Sequence, residues 1–125
     1  MALSFKRLPD SELEVMQAIW QLEPPVSRSA IDGILSQTHQ LAPTTLLTLL
    51  SRLADKGFIE IRKEGRSAVY NPLVSQADYQ ASQSKRFVDQ LFGSDMVAFA
   101  NALTSSGLSR EDLKELRRLL EEDAL

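Results

Sequence analysis

The sequence contains no cysteine. That absence excludes a disulfide framework, a thiol nucleophile and any thiolate metal site, and it suits a reducing compartment. Histidine occurs once, at His39, within the turn-like stretch "SQTHQLAP". One imidazole in a turn leaves acid–base and metal chemistry few candidates. No Ser/His/Asp set, metal-ligand spacing or glycine-rich phosphate loop is present, so neither an enzyme nor a cofactor or metal site is expected. Long apolar runs are also missing. Nothing reaches the roughly 18 residues that a membrane span needs, and "MALSFKRLPDSE" has no apolar core long enough for a signal peptide. The expectation is a soluble, cytoplasmic protein without direct membrane insertion.

Excess charge is the next thing in short supply. The formal net charge is only −3 over 125 residues. It is unevenly distributed, since residues 1–72 carry eight Lys/Arg against eight Asp/Glu while the remainder carries six against nine. The acidity therefore belongs to the second half. Between Arg52 and Arg66 the balance reverses, with five basic residues against three acidic ones. A local basic patch on a neutral background permits nucleic-acid binding of modest non-specific affinity.

What the sequence does have is helical periodicity broken by clear stops. Ser11 and Glu14 have the spacing of a capping box. After them Leu13, Met16 and Trp20 share one face, widened by Val15, Ile19 and Leu22. "EPP" ends this helix. Ser27 is placed to cap a second helix with Ile31, Ile34 and Leu35 inward. A third helix is expected to begin near Pro43 or Thr44, and it has two faces. Leu46, Leu49, Leu50 and Leu53 recur at i, i+3, i+4, i+7 and read as core. Thr45, Thr48 and Arg52 lie on the other side with Thr44 and Ser51. Gly57 suits the left-handed residue that ends a helix. Phe58 to Arg62 then reads as a strand, Glu64-Gly65 as a tight turn and Ser67 to Tyr70 as the return, with Tyr70 inward.

Three helices followed by a hairpin is the element order of a winged helix-turn-helix. Short polar side chains on the free face of the third helix can approach base edges closely. A threonine offers a hydroxyl together with a methyl that can pack on thymine, and Arg52 can reach a guanine edge or a phosphate. Arg62, Lys63 and Arg66 on the wing are placed for phosphates. Such folds also serve as protein-binding modules. A protein-interaction adaptor and a ligand-gated regulator therefore stand as alternatives to a DNA-binding repressor.

After "NP" the composition changes. "SQADYQASQSKRFVDQLF" is a polar helix with Tyr79, Phe87 and Leu91 as its sparse apolar stripe. A short apolar helix "DMVAFANAL" follows, and Ser109 then caps "REDLKELRRLLEE", with Leu108 and Leu113 placed as a hydrophobic staple. Met96, Val97, Phe99, Ala100 and Leu103 are crowded together with few polar residues between them. A chain this small has little interior to cover them, so a second copy is the economical partner. Leu113, Leu116, Leu119 and Leu120, with Phe87 and Leu91, complete the expected homodimer seam. The expected architecture is mainly α with a small β-hairpin. A winged-helix domain over residues 1–73 precedes a three-helix dimerisation domain over 74–125.

The segments "LPDSELEVMQAIWQ" and "TTLLTLLSRLADKGFIEIRKEGRSAVYNPLVS", with "DY" at 78–79, resemble the penicillinase/methicillin-resistance repressor family (BlaI/MecI, with its copper-responsive CopY branch). The resemblance implies a homodimeric repressor acting on a pseudo-palindromic double-stranded operator. It implies DNA contacts at Thr44, Thr45, Thr48 and Arg52, wing contacts at Lys63 and Arg66, and a helix opened by Ser27 to Ser29 that abuts the backbone. In better-known members a membrane sensor triggers proteolysis at an Asn-Phe bond of the C-terminal domain. Aligned on Met96-Val97, this chain has Phe99-Ala100 there. The copper branch carries a C-terminal cysteine cluster, which this chain lacks.

Overall fold

The computed structural model describes residues 5–123. Its elements run α1 (Asp10–Trp20), α2 (Arg28–Leu35), α3 (Pro43–Asp55), β1 (Ile59–Glu64), β2 (Ser67–Pro72), α4 (Gln76–Phe92), α5 (Met96–Ser105) and α6 (Arg110–Asp123). The order is that of a winged helix followed by three helices, mainly α with one small hairpin. The chain divides into two compact units, Met1–Gln83 and Ser84–Leu125, and α4 runs through the division.

In the first unit, α1 begins two residues earlier than the capping-box reading expects. Pro9 stands at the N-cap with no side-chain cap, and its carbonyl accepts from Leu13 N–H at 2.9 Å. Ser11 is therefore already helical and Glu14 is not its reciprocal partner. Asp10 and Glu12 lie in the first turn, where negative charge complements the helix dipole. The second helix starts as expected, with Ser27 Oγ accepting from Ala30 N–H at 3.1 Å. Pro43 opens α3 at a position where its missing amide costs nothing. At the far end Gly57 takes φ 81°. Gly57 N–H donates to Ala54 O and Phe58 N–H to Leu53 O, both at 3.0 Å, which satisfies two otherwise free carbonyls.

The leucine face of α3 forms the centre of the core. Leu46, Leu49, Leu50 and Leu53 are all buried, together with Val15, Met16 and Ile19 of α1 and Ile31 and Leu35 of α2. Each such side chain contributes roughly 1.5–3 kcal/mol relative to leaving it in water. β1 and β2 pair antiparallel with Ile61 opposite Tyr70 and Glu64 opposite Ser67. The turn is thus Gly65-Arg66, one residue beyond the expected Glu64-Gly65. Gly65 supplies φ 63° at the first turn position, as a two-residue hairpin loop requires. Ile59 and Tyr70, on one face of the hairpin, are buried. Tyr70 N–H donates to Val26 O at 2.8 Å, tying β2 to the start of α2.

The first unit does not stop at residue 73. Tyr79 is buried and its hydroxyl accepts from Leu8 N–H at 2.8 Å. Its ring lies edge-on to Phe58 at 5.6 Å and tilted against Trp20 at 5.8 Å. Trp20 Nε1–H donates to Val74 O at 2.9 Å. These contacts hold the opening turns of α4 on the winged helix.

The second unit has well-formed helices and almost no interior. Asp95 Oδ1 accepts from Ala98 N–H at 3.0 Å to cap α5, and Ser109 Oγ accepts from Asp112 N–H at 3.0 Å to cap α6. Phe87, Phe92 and Phe99 form a chain of edge-to-face rings at 5.9 and 5.5 Å. Even so, no described residue of this unit is buried.

Candidate nucleic-acid interface

The candidate interface starts from the second face of α3. Thr44, Thr45, Thr48, Ser51 and Arg52 are all exposed, on the side of the helix away from the leucine core. Arg52 has no carboxylate partner among the described residues, so its guanidinium is free for a bidentate acceptor. Thr48 is more constrained, because its hydroxyl donates to Thr44 O one turn back at 2.9 Å. With the proton committed, its oxygen keeps lone pairs for accepting and its methyl for an apolar contact. In the major groove such a group suits an amino donor of adenine or cytosine, or a thymine methyl.

Ser27 makes the complementary arrangement. Its oxygen already accepts from Ala30 N–H, leaving the hydroxyl proton to donate outward. Ser29 is exposed in the first turn of α2. Arg28, between them, is also exposed, and the sequence reading passed over it. Cation and free amides together at a helix start suit a phosphate.

The hairpin separates its cations. Cross-strand partners share a face, so Arg62 lies with Val69 and Lys63 with Ala68, on opposite sides. Arg62 Nη2 pairs with Glu60 Oε1 at 2.9 Å. Lys63 and Arg66 are exposed at the tip, and neither has a carboxylate partner among the described residues. Exposed pairs are worth about 0–1 kcal/mol, so the Glu60 pair is a weak tether on Arg62.

Behind this surface lies a contact the sequence reading missed. Glu12 is 2% exposed, and Lys56 Nζ pairs with its Oε1, joining α1 to the end of α3. The signal was available in the spacing. Glu12 stands at i, i+3, i+4, i+7 with Val15, Met16 and Ile19, so it occupies the apolar face of α1, where a carboxylate needs a partner. Leu47, which the leucine periodicity of α3 does not include, is 38% exposed on the flank of α3 beside the threonines. His39 Nδ1 lies 2.9 Å from Glu14 Oε1, a surface pairing. Among the described residues no group of three or more His, Cys, Asp or Glu could hold a metal ion.

The apolar residues of the second unit sit in the open. Phe87, Leu91, Met96, Val97, Leu119 and Leu120 are exposed, Val97 to 71%. Ala100 is exposed as well, while Phe99, Leu103, Leu113 and Leu116 are half-buried. Leu108, at 42% exposure, leaves much of its expected staple surface uncovered. Around these residues the surface is braced by ion pairs. Hydrogen bonds from Lys85 and Ser94 hold the Asp89 carboxyl below its ordinary range. The hydrogen-bonded Arg118 guanidinium does the same to Glu115, and Glu115 with Glu122 raises Arg118 in turn.

Comparison with known proteins places this arrangement. The family model described as penicillinase repressor matches residues 8–122. The penicillinase repressor of Bacillus licheniformis is 35% identical over 121 residues, covering 94% of each chain. The methicillin resistance regulatory protein MecI of Staphylococcus aureus (strain N315) is 31% identical over 114 residues, covering 90% of this chain and 92% of its own. The solution structure of the DNA binding domain of the repressor BlaI is 38% identical with a TM-score of 0.51, and the match covers 58% of this chain and 88% of that one. The monomeric form of Bacillus licheniformis BlaI in complex with the blaP half-operator is 37% identical with a TM-score of 0.50, covering 61% and 92%. The two curated relatives match nearly end to end. The chain belongs to the penicillinase repressor family.

Proposed function

We propose that this protein is a DNA-binding transcriptional repressor that acts in the cytoplasm as a homodimer on a two-fold operator. The observation that carries the reading is the division of α3 into a buried leucine face and an exposed Thr/Arg face, with Arg52 free of a carboxylate partner among the described residues. A helix so divided can enter a major groove without disturbing its own core. Thr44, Thr45, Thr48 and Arg52 then read bases, Lys63 and Arg66 hold phosphates, and Ser27 to Ser29 approach the backbone. The role is regulatory rather than catalytic.

Assembly is supported by the second unit, whose apolar side chains have no interior to enter. The seam runs through Phe87, Leu91, Met96, Val97, Phe99, Ala100, Leu103, Leu113, Leu116 and Leu120. Two linked heads gain about 10²–10⁴ in operator affinity from effective concentration alone. Anything that cuts or loosens α5 returns each head to half-site binding, and this includes a protease acting downstream of a membrane sensor.

The deciding measurement is salt-dependent binding of the full chain to the DNA upstream of its own gene, with footprinting beside random duplex. A protected two-fold site, bound at least about a hundredfold more tightly than random DNA, is the expected result. Equal affinity for both, or no footprint, would sink the reading and favour a protein-binding adaptor.

A further inference from the structure

Residues 5–9, before α1, reach across to α4 near the end of the first unit. Phe5 N–H donates to Ser82 Oγ at 3.0 Å, and Gln83 Nε2 donates to Phe5 O at 2.9 Å. Both backbone groups of one residue are thus satisfied by two consecutive side chains of α4. The Phe5 ring packs on Phe58 at 5.9 Å, which in turn meets Tyr79. Three residues later Leu8 N–H donates to the Tyr79 hydroxyl. Ser82 and Gln83 are the last residues of the first unit, and α4 continues from them into the second.

We infer that Ser82 and Gln83 are positioning residues for operator recognition, through which the N-terminal arm clamps α4 at the point where it leaves the reading head. The inference rests on the dimeric reading above. A head joined to its twin by a loose linker binds half-sites over a range of separations, because effective concentration then varies slowly with span. A head joined through a fixed helix accepts only the separation and rotational phase that its linkage allows. The arm converts α4 from a tether into a strut. The clamp extends the hold on α4 by about one turn beyond Tyr79. Two polar side chains at consecutive positions are thus both spent on one distant backbone residue.

The test uses the full-length Ser82→Ala/Gln83→Ala variant, in which alanine favours the helix and so preserves α4. Affinity is measured against duplexes whose half-site centres are moved in single base pairs through one helical turn, beside a single half-site. For the wild-type chain, a half-turn displacement (about 5 base pairs) should cost at least about tenfold, since it turns the second site to the opposite side of the duplex. In the variant the same displacement should cost no more than about threefold, with half-site affinity unchanged within about twofold and dimerisation intact. Ser82→Thr, which keeps the hydroxyl, should restore most of the wild-type profile. A variant profile that superimposes on wild type would overturn the clamp and leave the dimeric repressor standing. Loss of half-site affinity would also overturn it, making these residues part of the head's fold. Wild-type binding no tighter to a full site than to a half-site would overturn both readings.

Discussion

The two compact units of this chain use the same kinds of residue to opposite effect. In the first, leucines spaced for a helix find α1, α2 and the hairpin around them and become buried. In the second, Met96, Val97, Leu119 and Leu120 are spaced as well for a helix yet remain exposed. The first unit closes its hydrogen bonds over long sequence separations, as between Leu8 and Tyr79, whereas the second closes them within a few residues, as in its caps and its Arg118 pairs. Local bonds make a helix, but long-range ones make a fold. The difference separates a unit complete in itself from one whose apolar face is still unspent.

Cutting the chain sharpens that contrast most. A protease site inserted after Phe99 or Ala100 and then cleaved should lower operator affinity about a hundredfold or more, as the gain from linkage disappears. The thermal transition of the first unit should not move. Unchanged affinity after complete cleavage would mean that the heads cooperate through DNA alone.

Lys56→Ala attacks the first unit from inside. It leaves Glu12 buried with no partner and should cost about 3–5 kcal/mol in chemical denaturation. Glu12→Gln should cost less, about 1–2 kcal/mol, because the freed Lys56, itself one-third exposed, can reach water. Equal costs for the two substitutions would show that the pair is not buried as described.

The reading face gives a smaller effect with a distinctive pattern. Arg52→Ala should cost about 1–3 kcal/mol on the operator and relax base preference. Lys63→Ala should weaken binding to every sequence and reduce the salt slope by about one. If Arg52→Ala lowers affinity equally for operator and random duplex, Arg52 is not a base reader.

Acid should touch the second unit last and least. The Asp89 and Glu115 carboxyls are held below their ordinary values of 3.8 and 4.5 by their hydrogen-bonded partners. A depressed carboxyl stabilises the fold above its unfolded value and loses that contribution as pH falls through the folded one. Helicity of an isolated second unit, followed by circular dichroism, should therefore decline only below these values, and high salt should blunt the change. A decline centred near neutral pH would contradict the assignment.

Much of the first unit was legible because its signals are local. The two faces of α3, the Ser27 cap, Gly57 and the inward Tyr70 all follow from spacing and residue type. The capping box at Ser11 and Glu14 was equally local and gave the wrong helix start. What set that start lies far away in sequence, since α1 is held by Leu8 on Tyr79 and by Glu12 on Lys56. The same holds for the end of the first unit. "NP" marks a real change in composition, but the compact unit runs on to Gln83 because residues 5 and 8 reach across to α4. On the wing the number of cations was readable, but their separation onto two faces needed the observed strand register.

A unit without an interior of its own also has a consequence for dosage. If a second copy supplies the missing cover, folding of residues 84–123 becomes a bimolecular event, and stability cannot be stated apart from concentration. Dimer abundance then varies as the square of free monomer. A modest fall in synthesis would empty the operator more sharply than in proportion, and would leave monomers whose exposed apolar helices invite degradation. Scarcity alone would act as an inducer.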